Sequence, residues 1–279
     1  MEDEAMALSP QSVRQYAQEG YLSPIRVLSR AQAQDYRQRL EAIEASGRLP
    51  AGGLRCKSNL LLTWVDEIVR HPNVLDAVER LIGPDILVWG TSFFIKEPSN
   101  KSFVAWHQDL TYWGLEPDTI VTAWLALSES RSQNGAMRVI PGTHTLKIIA
   151  HRDTFAPDSL LSRGQEISVD VDEGKAVTLE LEPGEMSLHH VKLIHGSAPN
   201  PSPQRRIGLA IRYLPPHVRQ TAGTVDSAML VRGVDAFGHF RAEQRPLCDL
   251  SDAAIAHHAE IVGASERILM RGTGARAAM

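Results

Sequence analysis

Trp106-His107-Gln108-Asp109 is the stretch that decides how this chain reads, and two later ones give it meaning: His195-Gly196-Ser197 and Arg206. His107 and Asp109 stand two residues apart. On a β-strand, side chains at i and i+2 project from the same face, so a histidine and a carboxylate at this spacing can grip one metal ion. A second histidine from another strand, His195, completes two nitrogens and one oxygen on one face of the ion. That set leaves the opposite positions open, as oxygen-activating Fe(II) enzymes require. Singly, each motif is short and matches many chains by chance. A lone histidine after Leu193-Ile194 reads by itself as a hydrogen-bonded core residue.

The neighbours of these residues add weight. Trp106, Tyr112 and Trp113 flank the pair and could wall off water, although ordinary core packing is the expected role for at least one of them. Arg206 follows His195 by eleven residues, and the intervening segment holds Pro199, Asn200, Pro201 and Pro203. The chain is expected to turn there, so that the strand from Arg206 runs back beside the one carrying His195. That places a guanidinium deeper in the metal cavity, where it can take a carboxylate through a two-pronged, charge-assisted pair. Ser197 could add a hydroxyl to the same carboxylate. Alternation sends the adjacent Arg205 to the opposite face. Spacing also leaves open a set built from His189, His190 and His195, which would leave His107 and Asp109 unexplained.

The chain has 279 residues, 43% of them hydrophobic, and a formal net charge of -4. A sizeable core is available, and nothing global favours nucleic acid or an acidic membrane surface. No apolar run approaches the ~20 residues that span a bilayer. Met1 to Pro10 is acidic and lacks the basic, then apolar, layout of a signal peptide. The two cysteines, Cys56 and Cys248, suggest neither a disulfide framework nor closely spaced thiolate ligands. The expectation is a soluble cytoplasmic protein, a monomer or homodimer that takes a small molecule.

Helical signals dominate the N-terminal third. Ser9 caps a first helix running to Glu19, which Gly20-Tyr21-Leu22 breaks; Ile25 to Val27 reads as a short strand. Ser29 to Ser46 carries Ala33, Tyr36, Leu40 and Ile43 at helical spacing. Trp64 to Ile82 reads as one or two helices interrupted at Pro72. From Ile86 the texture changes to short strands: 86–89, 92–95, 104–109, 119–127, 137–140, 176–181, 186–190, 193–195 and 207–214. Turn residues separate them, the pattern of a sandwich or barrel. Residues 145–174 form a long polar excursion of the kind used for lids and binding loops. The fold class expected is mainly β with flanking helices (α+β). One domain is expected: a helical region over residues 1–85 packed on a β core over 86–220, with a C-terminal extension over 221–279.

From Ile86 to Leu214 the chain resembles the phytanoyl-CoA dioxygenase family of iron(II)- and 2-oxoglutarate-dependent oxygenases. The resemblance rests on Phe94-Ile95-Lys96-Glu97-Pro98, Trp106-His107-Gln108-Asp109, Thr122-Ala123-Trp124-Leu125-Ala126-Leu127, Asn134-Gly135 to Pro141-Gly142-Thr143-His144, and His195-Gly196-Ser197 to Arg206. It implies a double-stranded β-helix, or jelly roll. It also implies His107, Asp109 and His195 as catalytic iron ligands, Arg206 on the distal carboxylate of 2-oxoglutarate with Ser197 assisting, and Trp124 near the cosubstrate. Core filling would serve equally for Trp124, and Lys96 matches a family lysine that solvent could accommodate. The cofactors implied are Fe(II), 2-oxoglutarate and O2, with succinate and CO2 as coproducts. Chlorinating relatives carry a small residue where Asp109 stands, so the carboxylate argues for hydroxylation; desaturation or cyclisation depends on substrate placement. Arg55, Lys57, Asn59 and Lys101 suggest an anionic or polar small substrate if they converge on the cavity mouth, and a solvated basic surface if they do not. The alternatives are a non-catalytic metal or metabolite sensor, a zinc-dependent hydrolase or isomerase, which would need a general acid or base the sequence does not offer, and an oxygenase of the same type acting on an acyl-CoA or specialised metabolite by desaturation or cyclisation.

Overall fold

The computed structural model describes residues 8–222 and 225–273. The acidic stretch before Leu8, read above for a targeting signal, lies outside them. Ser9 accepts a hydrogen bond from the Ser12 amide and opens helix Pro10–Glu19. Gly20 ends that helix with φ 80°. A side chain there would also run into His144, its Cβ falling 2.5 Å from Nδ1, so glycine serves both the turn and the packing. Ser29 and Gln32 form a capping box at the start of helix Arg30–Ala45. Helices Thr63–Val69 and Pro72–Ile82 divide at Pro72, as proline's missing N–H and fixed φ demand.

Two antiparallel sheets face each other. The larger runs, in spatial order, Tyr21–Arg26, Glu185–His190, Val121–Ala126, Arg206–Leu214, Ile86–Lys96, Ser227–Arg232 and Arg241–Ala242; only the last pair is parallel. The smaller runs Val104–His107, His195–Ser197, Met137–Val139 and Val177–Leu179. Non-consecutive strands pair throughout, the connectivity of a double-stranded β-helix. The N-terminal helices share one hydrophobic cluster with the larger sheet. Leu40, Trp64, Val65 and Val78 pack with Leu125, Leu188, Ile207 and Leu209.

Several expectations are corrected in detail. The segments 86–89 and 92–95 are one strand, Ile86–Lys96, carried through Gly90 by its pairing with Arg212. Tyr21 and Leu22 belong to a strand rather than to a break, because they pair with His189 and Leu188. The strand expected over 104–109 stops at His107, and Asp109 starts a 3-10 turn. The strand expected over 193–195 begins only at His195. The Arg206 strand does not run beside the His195 strand. Residues 198–205 carry the chain from the smaller sheet to the larger, so the two strands face each other across the interior. Residues beyond 220 supply two strands of the larger sheet, Ser227–Arg232 and Arg241–Ala242, and helix Asp252–Leu269.

Candidate metal centre and adjoining cavity

His107 and His195 are cross-strand partners in the smaller sheet, with ring centroids 4.2 Å apart. Both are buried. His107 Nδ1 lies 2.9 Å from the Ala105 carbonyl and 3.1 Å from the His195 carbonyl. His195 Nδ1 lies 2.9 Å from the Leu193 carbonyl. A carbonyl only accepts, so each Nδ1 carries the proton and each Nε2 keeps a lone pair for a metal. Asp109 reaches the same point: its Oδ1 is 3.3 Å from His107 Nε2. Ligand atoms of His107, Asp109 and His195 all fall within 4.8 Å of one another. Atoms bonded to one ion at ~2.0–2.2 Å, at right angles, stand ~3 Å apart, so the set fits a single divalent cation with only small adjustment.

Gln108, between the two ligands, holds the arrangement. Its backbone stays extended at φ -114°, ψ 127°, which keeps the i, i+2 geometry one residue past the strand end. Its side chain donates to the Lys192 carbonyl at 2.9 Å and accepts from the Ile149 amide at 2.8 Å. Its own amide donates to His151 Nε2 at 3.0 Å. One residue thus ties the ligand pair to the 145–174 excursion and to the turn before His195.

Electrostatics fit cation binding. Burial pushes the Asp109 carboxyl up, but the His107 hydrogen bond and the nearby His195 and Arg212 outweigh it and hold the group well below the usual carboxylate range. Burial, with His107 beside it, lowers His195 to about 4. Near neutral pH the set therefore offers a carboxylate and an unprotonated imidazole.

A cavity of about 160 Å³ opens from this cluster. Arg206 faces it from the larger sheet and is almost wholly buried. Its guanidinium lies over the Trp124 ring at 5.2 Å and donates to the Gly135 carbonyl. Nε has no partner, and no described carboxylate pairs with it. Burial lowers its pKa to about 9. The Trp124 ring covers Gly208, where a Cβ would sit 1.9 Å from Cζ2; only glycine lets the indole lie flat against the strand. Ser197 lines the cavity opposite. The deep end thus presents a buried guanidinium with no counter-charge among the described residues.

Lys96 corrects the reading that solvent could accommodate it. It is fully buried, its Nζ 2.7 Å from Ser197 Oγ and donating to the Ala198 carbonyl. Burial, then the charge of Arg206, lowers it to about 6. Arg205 points outward, as alternation predicts, to Glu44 and Glu97. Among the aromatics, Trp113 lines the cavity, whereas Trp106 and Tyr112 lie outside it under Arg138 and Arg163. The basic cluster does not converge as a charged rim. Lys57 is buried and ion-paired to Glu243, Asn59 is buried against Thr91, and only Arg55 keeps an unpaired charge at the cavity edge. Lys101 is exposed and outside the lining. Of the rival histidines, His190 turns away toward His144. His189 is buried in the cavity wall, its Nε2 4.0 Å from Asp109 Oδ2, with neither ring nitrogen partnered.

Sequence reading missed Thr122, Arg212, Gln165, Ser265 and Leu269, all of which line the cavity. Arg212 was within reach, since it stands at even spacing from Arg206 on one strand and must share its face. Ser265 and Leu269 come from the C-terminal helix, and no local signal announces where that helix docks. Arg163 fastens this roof: it pairs with Asp153 in the excursion and donates to the Leu269 and Arg271 carbonyls.

A double-stranded β-helix with two histidines and an aspartate clustered at the mouth of a buried arginine slot defines a class of metal-dependent oxygenases. A family model described as phytanoyl-CoA dioxygenase matches residues 16–208, and the chain belongs to that family. It is 33% identical over 158 residues to a probable alpha-ketoglutarate-dependent hypophosphite dioxygenase of Stutzerimonas stutzeri, covering 56% of this chain and 54% of that one. The chain thus matches about half the length of that curated relative. It is 27% identical over 232 residues to an L-proline trans-4-hydroxylase of Streptomyces griseoviridis, covering 71% and 83% of the two chains. Among solved structures it resembles the apo form of the non-heme monooxygenase ThoJ at a TM-score of 0.81 and 35% identity, over 92% of this chain and 96% of that one. No helix among the described residues is long and apolar enough to cross a membrane.

Proposed function

We propose that this chain is an Fe(II)- and 2-oxoglutarate-dependent dioxygenase that hydroxylates an unactivated C–H bond of a small polar or anionic metabolite. His107, Asp109 and His195 hold the iron; Arg206 binds the distal carboxylate of 2-oxoglutarate, with Ser197 and Trp124 beside it. The observation that carries this reading is the convergence of the three ligand atoms within 4.8 Å on a cavity that also holds an unpaired, buried guanidinium. Iron, 2-oxoglutarate and O2 together supply the oxidising power, with succinate and CO2 released.

The chain's own residues bind, orient and exclude water. The Nδ1–H bonds of His107 and His195 fix both imidazoles with Nε2 inward. Gln108 keeps Asp109 in register. Lys96 orients Ser197 Oγ and can take up a proton when a dianion enters beside Arg206. Trp89, Trp113 and Trp124 wall off bulk water.

The small-substrate reading is supported by the cavity. At about 160 Å³ it is below the ~300–1,000 Å³ of sites that enclose drug-sized ligands, which argues against engulfing an acyl-CoA. The hypophosphite and proline enzymes named above point the same way. The shared core of helices and larger sheet supports one catalytic domain, and two free cysteines fit a reducing, cytoplasmic setting. The test is oxygen uptake and succinate formation by purified protein with Fe(II) and 2-oxoglutarate. Consumption that requires both, rises with small polar compounds and is not supported by Zn(II) is expected. Stable ligand binding in air without turnover would make the protein a sensor and overturn the proposal.

A further inference from the structure

We propose that Arg212, in one row with Thr122 and His189, is the anchor for an oxyanion group of the primary substrate, and that the substrate is therefore a small carboxylate or phosphonate-like anion. The inference rests on the oxygenase reading above and names its substrate class. Arg212 sits six residues after Arg206 on the same strand face, which puts their backbone positions ~20 Å apart along the strand at ~3.3 Å per residue; the two guanidiniums also lie over different rings, Trp124 and Trp113. One therefore cannot do the other's work. Arg206 is at the deep end, opposite Ser197; Arg212 is at the level of Asp109, whose charge it feels.

The row follows from strand register. His189 pairs with Thr122, and Thr122 with Arg212, across three adjacent strands of the larger sheet. All three line the cavity. Each carries polar atoms with no partner: both ring nitrogens of His189, Oγ1 of Thr122 and Nε of Arg212. Leaving a buried polar group unsatisfied is costly, so three in register across a sheet mark a place meant to be filled. The next position in the row is Gly90, which leaves space beside the guanidinium.

Charge points to the sign of what fills it. Among the described residues, Asp109 is the only acidic one in the lining, against Arg55, Lys57, Arg206 and Arg212. Lys57 is neutralised by Glu243. Arg212 has one side-chain hydrogen bond, to Ser92 Oγ at 2.7 Å, lies over the Trp113 ring at 5.5 Å, and makes no ion pair among the described residues. A structural arginine behaves differently here. Arg163 also has a buried unpartnered Nε, yet it pairs with Asp153 and two carbonyls. Once a divalent ion occupies Asp109, Arg212 loses its one nearby counter-charge. The cosubstrate dianion answers Arg206 and the metal, which leaves Arg212 and Arg55 for a second anion.

The experiment titrates the Ni(II)-loaded protein, saturated with 2-oxoglutarate, by calorimetry. The probes are methylphosphonate and propionate, each against its neutral twin, dimethyl methylphosphonate and propionamide. At least one anion is expected to bind tenfold or more tightly than its twin. Arg212→Gln should lose that binding tenfold or more while holding 2-oxoglutarate within about twofold of wild type; Arg212→Lys, which keeps the charge but not the fork, should fall between. A thermal melt confirms that each variant is folded, and the lysine variant carries the test if the glutamine variant is not. Equal binding of anions and neutral twins, unchanged anion binding in the folded variants, or a loss of 2-oxoglutarate binding equal to that of Arg206→Gln would each overturn the proposal. Absence of metal-dependent 2-oxoglutarate binding in the wild type would instead strike the oxygenase reading and take this inference with it.

Discussion

The two ends of the cavity are built from the same strand, Arg206–Leu214, and each carries an unpaired arginine on the inward face, yet they are made differently. The deep end is compact and sealed. Arg206 and Lys96 are register partners, and Ser197 and Trp124 close over them. The mouth is assembled from distant pieces: Arg55, Leu160 and Gln165 from loops, Ser265 and Leu269 from the C-terminal helix, Arg212 from the sheet. A slot for an invariant small dicarboxylate can be made by neighbouring strands. A mouth that must suit one substrate is made from segments that vary independently of the sheets. The His107, Asp109 and His195 cluster lines the same cavity.

The largest effect follows from removing that shared element. Asp109→Ala should abolish stoichiometric metal binding, read by elemental analysis, and reduce succinate formation by more than ~100-fold. Changes to partners of ligands alone cost about 10–100-fold, and this removes a ligand outright. Retention of metal with near-normal turnover would show that the cluster is not the centre between the two ends.

Arg206→Gln tests the deep end alone. A charge-assisted pair to a carboxylate contributes about 1.5–3 kcal/mol, and a tenfold change is 1.4 kcal/mol, so the affinity for 2-oxoglutarate should fall ~10–100-fold. Anion binding at Arg212 should change much less. Equal losses at both ends, measured by calorimetry, would mean that the cavity is one site rather than two.

Lys96 gives the deep end a pH signature. Its folded-state pKa is depressed to about 6, by burial first and then by Arg206. An incoming dianion favours the charged amine, so 2-oxoglutarate binding should draw in a proton whenever the pH lies between about 6 and the higher bound-state value. Affinity should be fullest below pH 6 and fall as pH rises, by up to ~tenfold per unit. His195 titrates only near 4, so it does not blur this window. Lys96→Met should flatten the slope and remove the buffer-dependent heat of protonation; an unchanged slope would show that Lys96 does not respond to the cosubstrate.

The difference between the two ends also explains what could be read from the chain. The convergence of His107, Asp109 and His195 was legible because parity along an extended segment survives even where the regular strand stops, as the Gln108 backbone shows. The inward direction of Arg206 was legible for the same reason, although the hairpin expected to bring it to His195 does not exist; the chain instead crosses between sheets. The burial of Lys96 and the Lys57–Glu243 pair were not legible. A lysine's side chain reads as surface until the topology shows what surrounds it, and Glu243 is 186 residues from Lys57. The roof formed by Ser265 and Leu269 depends on where a C-terminal helix docks, which no local pattern specifies.

The smallest expected effect comes from the arginine next door. Arg205 and Arg206 are adjacent, but alternation places Arg205 outside the barrel, on Glu44 of a helix and Glu97 after the Ile86–Lys96 strand. Its charge sits in a partly solvated network, and surface pairs of this kind contribute ~0–1 kcal/mol. Arg205→Ala should therefore lower the unfolding free energy by no more than ~1 kcal/mol in a urea titration and leave 2-oxoglutarate affinity unchanged. The contrast with Arg206→Gln isolates direction from composition: two arginines, one residue apart, differ only in the face they occupy. If Arg205→Ala weakened cosubstrate binding as much as Arg206→Gln does, the sheet would be transmitting strain between its faces. The deep end would then depend on the helix that Glu44 belongs to rather than on the slot itself.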